Sequence, residues 1–235
     1  MAEERIAERI DANLFDVTID DLHAMPKELY DSKLNKLEGK TKGKLIIKEY
    51  PTASAHAGHF RSLINELALK KSFKPDVLFI DYLNICASSR FKGGNISSYF
   101  YIKAIAEELR GLAVENNVPI FSATQTTRTG FVSTDIGLED TSESFGLPAT
   151  ADFMFALMSN EELEALGQMK VKQLKNRYND PAVNRPFIVG VDRAKMRLYD
   201  VENSAQNIVD SNQTKDDESY PTPEQSYDKF SDFKL

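Results

Sequence analysis

The feature that most restricts the fold is a repeat of short apolar runs, each released into polar residues and separated from the next by a helix-length amphipathic stretch. Lys44-Leu-Ile-Ile-Lys-Glu-Tyr50, closed by Pro51, reads as a first strand. Phe60, Leu63, Ile64 and Leu67 follow at spacings of three and four, the stripe of a half-buried helix. Val77-Leu-Phe-Ile80 then runs into Asp81. A further helix carries Ile102, Ile105, Ala106, Leu109, Leu112 and Ala113, and Val118-Pro-Ile-Phe-Ser-Ala-Thr-Gln125 is a third strand. Strand, helix, strand, helix, strand predicts a parallel sheet covered on both faces. Ligands of such sheets sit beyond the carboxyl ends of the strands, so Asp81 and Gln125 are the first candidates for chemistry.

Residues 1–43, ahead of this core, are helical in pattern. Ile6, Ile10 and Leu14 recur every fourth residue, and a second helix starts near Pro26 with Tyr30, Leu34 and Leu37 on one face. Behind the core, a polar stretch over residues 126–149 gives way to strand candidates at 153–158, 171–178, 186–191 and 197–201. No long helix intervenes, so these predict antiparallel hairpins added to the parallel sheet, completing a core over residues 44–202. Residues 203–235 form an acidic tail too poor in apolar side chains to offset the entropy of ordering, and it is predicted to be disordered.

Composition narrows the function classes. The 235 residues are 41% hydrophobic and 28% charged, which suits a globular chain, and no apolar run is long enough to span a membrane. A net charge of -7 argues against a protein that coats nucleic acid wholesale, though not against one that grips DNA in a local channel. Cys86 is the single cysteine, which excludes an internal disulfide and a cysteine-based zinc site, and a small core residue is its expected role. His56 and His59 read as loop residues. The expectation is a soluble intracellular protein.

A hydrophobic strand delivering one carboxylate to a sheet edge resembles a Walker B strand, yet alone it is common in doubly wound folds. Longer stretches carry more weight: Asp-Tyr-Leu after the strand, the helix Lys103-Ala-Ile-Ala-Glu-Glu-Leu-Arg-Gly-Leu-Ala113, and Val118 to Gln125. With Phe60-Arg-Ser-Leu-Ile-Asn-Glu-Leu67 and Gly146-Leu-Pro-Ala-Thr-Ala-Asp-Phe153, these are similar to the DnaB-like replicative helicases, above all those of T-even phages. The resemblance runs from Met1 to about Glu202. It implies an α/β fold, a partial RecA-like P-loop NTPase core with C-terminal antiparallel hairpins and the acidic tail. It also implies ATP and Mg²⁺ as cofactors, single-stranded DNA as track, a homo-hexameric ring, primase and a helicase-loading protein as partners, and a phage-encoded protein in the host cytoplasm.

By the same resemblance Asp81 holds Mg²⁺ between phosphates and Gln125 senses the γ-phosphate. Arg128 stands near an arginine found shortly after that glutamine. Lys175 and Arg177, two apart on a strand and so on one face, match a Lys-x-Arg hairpin whose arginine reaches the γ-phosphate of a neighbouring subunit. Such fingers are worth roughly 10³–10⁵ in rate for GTPases. Residues 126–150 correspond to the DNA-facing loop, with Gly130, Gly137 and Gly146 for pliability. Ser142-Glu143-Ser144-Phe145 replaces the Arg-Glu-Ser-Gly of many bacterial members, so the backbone contact of that arginine has to come from other groups.

A motor of this class needs a P-loop to cradle phosphates. Gly39-Lys40-Thr41 fails as one: Leu34 occupies the place of the first glycine, and the segment precedes a strand rather than following one. By resemblance, the P-loop and catalytic glutamate lie upstream of Met1, on a longer protein or on a separate N-terminal chain. The isolated chain is then expected to be inactive. Rival readings are another RecA-type ATPase, recombinase-like or of the clock-ring kind, and a non-enzymatic fragment that only binds replisome proteins, with the acidic tail as a docking element.

Overall fold

The structure, a computed structural model, describes residues 2–91, 96–126, 136–140, 146–180, 184–202 and 206. Helix α1 (Glu3–Phe15) has two glutamates in its first turn, where carboxylates offset unpaired amides, and closes on Asp16 in a left-handed conformation. The Thr18 hydroxyl accepts from the Asp21 N–H at 3.0 Å and starts α2 (Ile19–Ala24). Helix α3 (Lys27–Glu38) folds back on α1: the Tyr30 hydroxyl donates to Asp11 at 2.8 Å and its ring meets Phe15 edge-on. The Asn13 amide donates to the Met196 carbonyl, and Asp16 pairs with Lys195 and Arg197, fastening these helices to the far end of the chain.

The strand predicted at residues 44–50 does not form: no ladder pairs it with another strand among the described residues, and Leu45 is exposed. Apolar composition favours a strand, but only a paired neighbour makes one. The parallel layer consists of β1 (Leu78–Ile80) and β2 (Ile120–Ser122), in register from Leu78 opposite Ile120 to Ile80 opposite Ser122.

Helices α4 (Ala57–Lys71) and α5 (Ser98–Asn116) cover one face of this pair. Ile102, Ile105, Leu109 and Leu112 of α5 bury against Ala57 and Ile64, with Leu78, Ile80 and Ile120 packed on the same cluster. Alternation turns Phe79 and Phe121 to the opposite face, where their rings stack at 5.3 Å and stay 74% and 50% exposed. The expectation of cover on both faces is therefore met on one face only among the described residues, since no described helix lies over the phenylalanines.

A short helix, α6 (Gly146–Thr150), leads into the antiparallel sheet β3 (Phe153–Met158), β4 (Gln168–Asn176), β5 (Phe187–Asp192) and β6 (Arg197–Asp200), ordered as in sequence. This matches the predicted hairpins, with one short unpredicted helix, α7 (Glu161–Ala165), capped by the Asn160 side chain. The β3–β4 register slips where Met154 faces Lys175 but Phe155 faces Gln173, so Leu174 has no opposite number. Leu174 instead packs on Ile136, Ala156 and Met158. Most of the predicted tail lies outside the described residues. Gln206 is described, and its side-chain amide accepts from the Ile188 N–H and donates to the Ile188 carbonyl.

Candidate functional site

Asp81 leaves β1 at its carboxyl end, exposed, and its peptide to Tyr82 is cis. Gln125, also exposed, leaves β2 at the same edge. Three bonds strap the two strand ends together. Ser122 Oγ donates to the Ile80 carbonyl at 2.8 Å, the Leu83 N–H donates to the Ala123 carbonyl at 3.2 Å, and Thr124 Oγ1 donates to Asn84 Oδ1 at 2.8 Å. Sequence reading missed Asn84 and Thr124, whose roles show only once the strands are adjacent. The rim thus presents a solvated carboxylate beside a neutral amide. Mg²⁺ in nucleotide sites takes one or two carboxylates and completes its shell with phosphates and water, so Asp81 fits as one ligand.

A second cluster gathers around α6. Asp152 Oδ1 accepts from Arg110 at 2.8 Å and from Arg177 at 2.9 Å. The carbonyl end of α6, whose last oxygens have no partner within the helix, takes the remaining donors. Arg110 donates to the Thr150 carbonyl at 2.7 Å, Arg177 to that of Ala149 at 3.1 Å, and Lys175 to that of Pro148. Burial first, and the Arg177 charge second, push the Lys175 ammonium below the usual lysine value. Lys175 and Arg177 do share a face, as their spacing predicts. Arg110 and Asp152 lie within motifs that sequence analysis singled out but were given no role there.

Among the described residues no hydrogen bond or ion pair joins Asp81 or Gln125 to Lys175 or Arg177. Arg128, Gly130, Ser142, Glu143 and Ser144 lie outside the described residues. Gly146 is described, and it is not a loop position: it opens α6, buried, and a Cβ there would come within 2.7 Å of the Lys103 side chain. Close approach, rather than pliability, demands glycine at this point.

The remaining candidates have local roles. Gly39 ends α3, and the Lys40 and Thr41 N–H groups both donate to the Leu37 carbonyl at 2.8 Å, which leaves neither for a phosphate. The predicted loop residues His56 and His59 form a reciprocal cap on α4: His56 Nδ1 accepts from the Gly58 N–H, and His59 Nδ1 from the His56 N–H. Cys86 is a buried core residue, its thiol pushed up to about 11 by burial. A cleft of about 430 Å³ between α4 and α5 is lined by Arg61, Arg90, Glu107, Glu108 and Glu115. Its charges are engaged with one another, Arg61 with Glu115 and Arg90 with Glu107. Burial raises the Glu108 carboxyl, but bonds from the Ser88 and Ser89 hydroxyls and the Ser89 and Arg90 N–H groups outweigh it and hold it below the usual value.

No family model matches this chain. It is 46% identical over 209 residues to a DnaB-like replicative helicase of Enterobacteria phage T4, a match covering 87% of this chain and 44% of that protein. The chain therefore spans less than half the length of this curated relative. Among solved structures, an isolated ATPase domain superposes with a TM-score of 0.68 at 18% identity, over 86% of this chain and 72% of the other. A DnaB-like replicative helicase solved to show its interactions with primase gives 0.67 at 18% identity, over 86% of this chain and 49% of the other. No described helix is long and apolar enough to cross a membrane.

Proposed function

For a chain that belongs with the DnaB-like replicative helicases and carries their ATPase-domain fold, we propose that it supplies two halves of a shared ATPase site in a ring-shaped DNA helicase. Asp81 would hold Mg²⁺ on the nucleotide of its own subunit, with Gln125 reading the γ-phosphate. Lys175 and Arg177 would serve the nucleotide of the next subunit, where a planar guanidinium offsets charge spread over phosphoryl oxygens. Bound Mg²⁺ would supply the charge that neutralises the phosphates during transfer. The phosphate cradle would come from a P-loop on other residues of the same protein or on a separate N-terminal chain, because Gly39 to Thr41 cannot form it.

The observation that carries this reading is the way the cations are held: Lys175 and Arg177 are gathered on the carbonyl end of α6 and on Asp152, and among the described residues neither is bonded to Asp81 or Gln125. Hexameric closure, movement along single-stranded DNA toward its 3′ end and contacts with primase and a loading protein complete the proposal, with the host cytoplasm as its setting. Residues 127–135 and 141–145 belong to the stretch assigned to DNA.

The test is reconstitution. Joined to its P-loop segment, the protein is expected to separate the strands of forked DNA only with Mg²⁺ and ATP, while this chain alone turns over no more ATP than its K175A/R177A variant. Strand separation without ATP, or ATPase activity in the chain alone above that background, would overturn the proposal.

A further inference from the structure

Asp152 holds residue 177 at two points. Its carbonyl accepts the Arg177 N–H at 2.9 Å, and its carboxylate accepts the Arg177 guanidinium at the same distance. Arg110, reaching over from α5, grips the same carboxylate oxygen and the Thr150 carbonyl, so Asp152 cannot swing with its partner. The bulge at Leu174 lies just before Lys175, and such insertions re-aim the side chains that follow them.

Stability alone explains this cluster poorly. Its side chains are 33–44% exposed where Arg110, Asp152 and Arg177 pair, and ion pairs at such exposure contribute little. Among the described residues, three cations, Lys175, Arg177 and Arg110, gather on one carboxylate, an excess of positive charge. An arrangement that is unfavourable for a resting fold suits the arrival of phosphate.

We propose that Asp152, clamped by Arg110, is a positioning residue that fixes the direction in which Arg177 is offered to the nucleotide of the adjacent subunit. The inference rests on the reading of Arg177 as a group acting across that boundary. Each terminal guanidinium nitrogen carries two hydrogens, so Arg177 can keep its bond to Asp152 and still donate to a phosphoryl oxygen. Preorganised supports of this kind raise the rate without touching the reacting atoms.

Mixed oligomers of the complete protein supply the test. In Asp152→Ala, turnover is expected to fall about tenfold or more, the cost of a loosened catalytic group, with KM for ATP unchanged. Mixed with Asp81→Asn subunits, which keep an intact Arg177, Asp152→Ala subunits regain activity at roughly one interface in four of an equimolar random ring. A defect of folding would not be repaired by a neighbour. Arg177→Ala mixed with Asp81→Asn is the control, expected to recover in the same way. No recovery in the control overturns the cross-boundary reading itself, and with it this inference. Recovery in the control but not with Asp152→Ala overturns the positioning role alone. If Asp152→Ala does not assemble, Asp152→Asn replaces it, and failure of that near-isosteric variant to assemble overturns the role as well, by making the carboxylate structural.

Discussion

The rim of the parallel strands and the surroundings of α6 present opposite kinds of chemistry. Asp81 and Gln125 stand exposed, positioned by backbone and by the Asn84–Thr124 strap. Lys175 and Arg177 are held by oxygens of their own chain. A group that must accept a hydrated ion gains from solvent access, whereas a long flexible cation gains from being aimed in advance. The contrast suggests that the metal end of the proposed site is completed by its ligand, and the cationic end by the protein.

The largest expected effect falls on the aimed end. Arg177→Ala should lower ATP turnover by about 10³-fold or more while equilibrium ATP binding to the adjacent P-loop changes little, as steady-state rates and nucleotide titration would show. A matching loss of binding would break the contrast. Asp81→Asn should reduce turnover about a hundredfold and raise the Mg²⁺ concentration needed for half-maximal rate, as several kcal/mol of metal-borne charge stabilisation implies. Thr124→Val should cost about 1 kcal/mol by leaving Asn84 Oδ1 without its donor, seen as a lower melting temperature. Smallest is a pH effect at Lys175. Its native pKa lies below its ordinary value of 10.5, so the unfolded chain binds more protons between the two, and native stability rises with pH through that window. Denaturant midpoints across that alkaline range should show the gain, and Lys175→Met should flatten it.

Much of the fold was legible because apolar periodicity is a local property. The α5 stripe at Ile102, Ile105, Leu109 and Leu112 became the core, and the run from Val77 became β1, one residue shorter at its start. Residues 44–50 carry the same signal without a ladder, because strand formation depends on a neighbour that a single segment cannot encode. Lys175 and Arg177 were legible as a pair because strand geometry fixes the consequence of a spacing of two. Arg110 and Asp152 were not, since 42 residues separate them and no periodicity links a helix surface to the residue before β3. Gly146 was misread for a related reason: the need for glycine came from the Lys103 side chain on another element.

The unmatched Leu174 makes length, as well as identity, part of the design of β4. Deleting that residue would let Gln173 and Lys175 follow one another opposite Phe155 and Met154, removing the bend and added twist of the bulge and so changing the direction in which both cations are offered although neither had been replaced. Relatives can then be compared by counting: those that keep the lysine and arginine but lose one position between Gln173 and Lys175 should offer the two cations from a straighter strand.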